Sequence, residues 1–234
     1  MRRLTVFIWS FFCFTVLPLT VTSQEGFIPS PEFIRSRIRN AYSTIQDLQC
    51  YVRIIKVRNG NKRKSNAKLY FKPPGKILLK FTRPRRQVIC SNGKTLWIYV
   101  PKLNVVFSHT FSSDEKKERS TPLASSALKM KLFQDYRMSF AKEKIVKLPE
   151  LNKHRTYYAM RLTPKVSQEG YREIRIWVSR RGYIHRIIGT NYNGNTTQVD
   201  FRAIKINQSI VEDFDFEQPD NCQEMSNPFT NLEN

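Results

Sequence analysis

The sequence predicts a mainly β protein in which one large antiparallel sheet curls or closes, with amphipathic helices covering its apolar face. Three observations lead there. Short segments of alternating apolar and polar residues recur along the chain. Glycine-bearing turns separate them, at Asn59-Gly60, Asn92-Gly93, Glu169-Gly170, Arg181-Gly182 and Asn193-Gly194. Two stretches instead carry the helical period, each opened by a hydroxyl residue followed by proline.

The first helix starts at Ser30-Pro31-Glu32, where the serine can cap free N–H groups and the acid suits the positive helix end. Ile34, Ile38, Ala41 and Ile45 fall on one face at spacings of four, three and four. From Leu48 the period drops to two: Leu48, Cys50, Val52 and Ile54 alternate with polar neighbours. Strands are then expected over 67–72, 76–82, 87–91, 94–100 and 103–109. The polar, aperiodic segment 112–120 reads as a loop. Thr121-Pro122 opens the second helix, with Leu123, Ala127 and Met130 on one face and Leu128 and Leu132 beside it. Strands resume over 136–147, 157–163, 172–179, 183–191 and 197–206, and Phe214-Asp215-Phe216 alternates as a last short piece. The tally is about ten or eleven strands, the last short piece aside, and two helices.

Arg2 and Arg3 precede an apolar run from Leu4 to Val21, and Val21-Thr22-Ser23 offers small residues for cleavage. We therefore expect a signal peptide over 1–23, one domain over 24–222 and a flexible polar tail over 223–234. Pro18 near the end of the run suits a cleavable signal better than a membrane anchor, and Cys13, inside the run, is misplaced for lipid attachment. The chain carries 40 Lys and Arg against 19 Asp and Glu, and losing Arg2 and Arg3 lowers the net charge from +21 to +19. This surplus favours anionic partners, an anionic membrane surface among them, or serves the solubility of the outer strand faces. Cys50, Cys90 and Cys222 are odd in number, which permits one internal disulfide at most, and their spacing fits no zinc site.

Catalytic patterns are missing. His109, His154 and His185 are far apart in sequence and read as surface or strand residues. Neither a nucleophile elbow nor a phosphate loop occurs. Asp114-Glu115 and Asp213-Asp215 read as solvated pairs. No enzyme activity and no cofactor are expected. Arg83-Pro84-Arg85-Arg86, near Phe81, could serve a nucleic acid, but export leaves a basic turn at an anionic membrane surface as the better reading and no nucleic acid as partner. The strand aromatics and aliphatics either fill a core or line an adaptable apolar pocket; periodicity leaves both open.

The segment from Val88 to Pro101, with Ser91-Asn92-Gly93-Lys94, Leu96-Trp97-Ile98-Tyr99 and Pro101, resembles the LolA-type periplasmic carriers of outer-membrane lipoproteins. Further parts agree in order: a helix running into a strand, Leu69-Tyr70-Phe71-Lys72-Pro73-Pro74, a helix after the Trp-Tyr hairpin, and Phe214-Asp215-Phe216-Glu217-Gln218-Pro219. The resemblance spans nearly the whole mature chain.

It implies an unclosed antiparallel β-barrel with a helical lid over an apolar cavity, exported to the periplasm. The implied cargo is acylated lipoprotein, received from an inner-membrane lipoprotein-releasing ABC transporter and passed to an outer-membrane acceptor. The lipid-binding residues would be Leu69, Phe71, Ile77, Leu79, Phe81, Trp97, Met160, Ile174 and Ile176 on the sheet, with Leu123, Ala127 and Met130 on the lid. The family usually sets an arginine before the proline ending the second strand, to hold the lid; here Pro73 occupies that position, next to Lys72, so lid control falls to these two. A lipid or glycolipid shuttle, a lipid-sensing domain, and an exported binding module with a filled core and a basic surface are the alternatives.

Overall fold

The computed structural model describes residues 28–111, 135–166 and 170–226. One helix lies among them. In α1 (Pro31–Ser43) the Ser30 side chain accepts a hydrogen bond from the Phe33 N–H at 3.2 Å, with Pro31 in the first turn and Glu32 beside it. Ile34 and Ile38 are buried. The helix stops at Ser43, so Ile45 leaves the expected helical face and is buried instead in the link to the sheet. The second helix, expected after Thr121-Pro122, lies outside the described residues, as does the stretch 1–23.

Among the described residues twelve strands form one sheet: β1 (Leu48–Arg58), β2 (Asn61–Lys72), β3 (Lys76–Arg83), β4 (Val88–Asn92), β5 (Thr95–Val100), β6 (Val105–Thr110), β7 (Tyr136–Lys147), β8 (Thr156–Pro164), β9 (Tyr171–Val178), β10 (Ile184–Asn191), β11 (Thr196–Ile206) and β12 (Gln223–Ser226). Their order across the sheet is β12-β6-β5-β4-β3-β2-β1-β11-β10-β9-β8-β7. Two meanders, β1–β6 and β7–β11, thus meet along one seam, where β1 pairs with both β2 and β11. β7 and β12 end the sheet unpaired with each other, so it curls without closing. The turns at Asn59-Gly60, Asn92-Gly93, Arg181-Gly182 and Asn193-Gly194 link strands as the sequence predicts, while Glu169 of the fifth lies outside the described residues. Asn59 and Gly60 both take positive φ, 48° and 78°, the conformation a two-residue hairpin needs. Bulges at Gln49–Tyr51 opposite Ala203 (φ 47°) and at Ile184–Arg186 opposite Trp177 add twist near the seam.

Alternation sorts the side chains onto two faces. The front face carries two apolar clusters. One gathers Met138, Met160, Leu162, Ile174, Ile176, Val178 and Ile184 beneath Ile34 and Ile38 of α1. The other gathers Leu48, Cys50, Val52, Ala67, Leu69, Ile77 and Leu79, with Ile45. Tyr42, at the end of α1, packs against both and joins them. Its hydroxyl accepts from the Ile184 N–H at 3.3 Å, and its ring meets Tyr183 edge-on at 6.0 Å.

The back face is closed differently. A strap over 207–222 crosses β2–β5 and buries Ile210 and Phe214 against Tyr70, Leu78 and Cys90. Phe216 stacks on Trp97, ring centres 6.1 Å apart. Phe214-Asp215-Phe216 is therefore not a strand; its alternation places aromatics under the strap, not in a ladder. Side-chain bonds fasten it: the Asp47 carboxylate accepts from the N–H groups of Gln208 and Ser209, both at 2.9 Å, Asn92 donates to Asp215 at 2.8 Å, and Lys80 pairs with Glu212. Beyond the strap, Gln223–Ser226, expected within a flexible tail, adds to β6 as a parallel strand. All three cysteines in this part of the chain are free thiols. Cys50 faces front, beside Leu69, while Cys90 faces back, beside Leu78 and Trp97, so the sheet itself separates them.

Candidate functional site

The registers place the candidate residues row by row. Leu48, Phe71, Ile77 and Leu96 occupy one row across β1–β5. Cys50, Leu69, Leu79, Ile89, Ile98 and Phe107 form the next, through to β6. Val52, Ala67 and Phe81 form a third. Five expected site residues, Leu69, Phe71, Ile77, Leu79 and Phe81, thus share the front face of β2 and β3.

Burial grades along these rows. Leu69, Ile77 and Leu79 are 2–3 % exposed, whereas Phe71, Phe81, Ile89, Ile98 and Phe107 are only half-buried. The front face is most accessible from β4 to β6. The expected site omits Ile89, Ile98 and Phe107; the signal is available in the sequence, since pairing β4, β5 and β6 in register aligns all three with Leu79.

Met160, Ile174 and Ile176 also face front, but in the half that α1 already covers, with Ile34 and Ile38 packed onto them. They belong to a filled core. Trp97 does not belong to the front face where it was expected. It pairs with Cys90 and shares the back face with Tyr70 and Leu78, against Phe216. Lys72 likewise alternates to the side of Tyr70, opposite Phe71, and Pro73 is exposed in the turn after it. Neither is set to reach into the front face, because one step along a strand reverses the side chain. Leu123, Ala127 and Met130 lie outside the described residues.

Two titratable groups buried at the front-face clusters, Tyr42 and Cys50, are held neutral. Burial pushes the Tyr42 phenol well above its usual range and the Cys50 thiol up to about 12. The back face takes the opposite course. Asp200, fully buried, accepts from Arg186 at 2.6 Å and 3.2 Å, from Arg53 at 2.8 Å and 3.2 Å, and from Gln198 at 3.0 Å and 3.2 Å. Burial alone would raise its pKa, but these hydrogen bonds and charges outweigh it and hold the carboxyl below its usual value. Arg186 extends the network to Glu150 at 2.8 Å. Among the described residues, no group of three His, Cys, Asp or Glu could hold a metal ion, and no helix is long and apolar enough to cross a membrane.

Among the described residues the architecture is thus an unclosed curled sheet whose front face carries two apolar clusters, one of them covered by a helix. The family model described as outer membrane lipoprotein carrier protein LolA matches residues 56–217, and the chain belongs to that family. An outer-membrane lipoprotein carrier protein from Nitrosomonas europaea is 24% identical over 159 residues, covering 68% of this chain and 71% of its own. Among solved structures, an uncharacterized conserved protein from Thermus thermophilus shares the fold with a TM-score of 0.53 at 12% identity, covering 84% of this chain and 98% of its own. A LolA superfamily protein from Nitrosomonas europaea matches at a TM-score of 0.40 and 15% identity, over 80% of this chain and 98% of its own.

Proposed function

We propose that this protein is an exported periplasmic carrier that holds the acyl chains of lipoproteins against its front face and moves them from the inner toward the outer membrane. The observation that carries this reading is the continuous apolar surface from Leu69 and Leu79 through Ile89 and Ile98 to Phe107, half-buried at its β4–β6 end. Burying acyl chains there is worth about 0.8 kcal/mol per CH₂, so a chain of ordinary length is held firmly without any polar contact. Family membership supports the choice of lipoprotein over free lipid.

The expected second helix supplies the cover. In this reading Leu123, Ala127 and Met130, expected on one helical face, serve as the lid over the acyl chains, while α1 stays on the other half of the sheet. With proline in place of the family's arginine at position 73 and with Lys72 on the back face, lid closure in this reading rests on apolar contact. An inner-membrane ABC transporter loads the carrier and an outer-membrane acceptor unloads it.

The test is recovery of the mature protein from a two-membrane bacterium, with bound material identified by mass spectrometry. Acylated lipoproteins, lost when their lipid-bearing cysteine is replaced, are the expected result. Free lipids alone would move the reading to a lipid shuttle, and an empty protein that also ignores an apolar fluorescent probe would overturn it.

A further inference from the structure

A second concavity lies where the start of β8, the β9–β10 turn and the second half of β11 meet. It has a volume of about 1270 Å³, ample for a polar headgroup or several phosphates. Its cations are Arg37, Arg155, Arg180, Arg181, Arg202 and Lys205, and no carboxylate lines it. Glu150 and Asp200, adjacent in sequence to lining residues, are taken up by Arg186 and Arg53. Among the described residues, no carboxylate pairs with Arg155, Arg180, Arg202 or Lys205.

The groove also contains buried polar atoms without partners. Tyr157 is 1% exposed, yet its hydroxyl makes no hydrogen bond, and neither does the buried Nε of Arg202. Such groups are costly to leave unpaired in the interior of a protein. Burial raises the Tyr157 pKa, so the hydroxyl keeps its proton and is available as a donor. His185, 5.1 Å from the Tyr157 ring centre to centre, stays neutral beside it. Orphaned donors surrounded by uncompensated cations are the complement of an anion's oxygens. The apolar wall of the groove is Phe201, Ile204 and Ile206, which also pack against the second front-face cluster.

We infer that this groove is a binding site for a phosphate-bearing group, clamped by Arg155 and Arg202 and hydrogen-bonded by the Tyr157 hydroxyl. A soluble phosphate and a phospholipid headgroup share that chemistry. The inference stands on the groove alone and does not depend on acyl binding at the front face.

The experiment measures thermal unfolding of the mature protein with millimolar inorganic phosphate, against chloride of equal ionic strength, and co-sedimentation with phosphatidylglycerol or phosphatidylcholine vesicles. Phosphate is expected to raise the melting temperature saturably, or phosphatidylglycerol vesicles to bind where phosphatidylcholine vesicles do not; the first assigns a soluble source, the second a lipid one. Arg155→Ala/Arg202→Ala, which removes the two clamping guanidinium groups, should abolish the effect. Tyr157→Phe, which deletes an unsatisfied hydroxyl, should unfold no lower than wild type without phosphate yet bind about tenfold more weakly, the worth of one charge-assisted hydrogen bond. The site is refuted if phosphate acts no differently from chloride while the double variant sediments with phosphatidylglycerol as wild type does. Apolar-probe uptake by the same proteins reads the front face separately, so loss of one site is distinguishable from loss of the other.

Discussion

Two buried polar residues, Asp200 and His185, show how single side chains set the chemistry of a face. Asp200 is tolerable inside the sheet only because Arg53, Arg186 and Gln198 satisfy both its oxygens. Asp200→Ala should lower stability by about 3–5 kcal/mol, since it leaves the buried Arg186 with Glu150 alone, an exposed partner; urea unfolding measures this. Because the folded-state pKa is lowered, the carboxylate's contribution is present above the ordinary aspartate value and is lost as pH falls through the folded one. His185 titrates in the opposite sense. Burial first, then the charge of Arg155, lowers its pKa to about 4, against the weaker opposing effect of a backbone hydrogen bond with Phe201. Between its ordinary value of 6.5 and about 4 the unfolded chain binds the extra proton, so stability falls as the solution is acidified through that window. His185→Gln should flatten this slope in a series of unfolding curves from pH 7 to 4. The sequence could not separate His185 from His109 and His154; only the bulge at Ile184–Arg186 and the Tyr157 ring make it interior.

At the level of elements, the cap and proline of α1, the hairpin turns and most strand bodies were legible because each depends on neighbours in sequence. Ser30 needs only Phe33, and Asn59-Gly60 needs only itself. What failed was local pattern whose meaning is set by distant partners. Phe214 and Phe216 alternate as a strand would, but Cys90 donates its thiol to the Phe214 carbonyl at 3.0 Å where a ladder partner would stand. The β9–β10 turn carries a similar long-range constraint. Gly182 has φ 90°, and a Cβ there would lie 2.5 Å from the Arg37 carbonyl oxygen of α1. Gly60 has a similar φ of 78° but open space around it. Gly60→Ala should therefore cost about 1–2 kcal/mol from backbone strain, and Gly182→Ala clearly more, because α1 must also shift. Equal midpoints for the two variants in urea would refute the packing of α1 on that turn.

At the scale of the whole molecule, the sheet's two faces do different work, and one pair of substitutions separates them. Phe71→Glu places a charge on the accessible front face and should weaken uptake of an apolar fluorescent probe at least about tenfold. Trp97→Ala should leave uptake unchanged while costing about 2 kcal/mol through loss of the Phe216 stack. Reduced probe uptake in Trp97→Ala with a stable fold would place the binding face wrongly. By itself the sequence determined the β class, the turns, the start of the first helix and, through the order of its motifs, the family, since these follow from residue spacing and local backbone preference. Only the tertiary structure decided which face each strand presents, that α1 fills the Met160 half and leaves the Phe107 half accessible, and that Trp97 and Lys72 turn away. Strand alternation fixes a face only relative to its neighbours, and a single bulge or register step reverses the assignment.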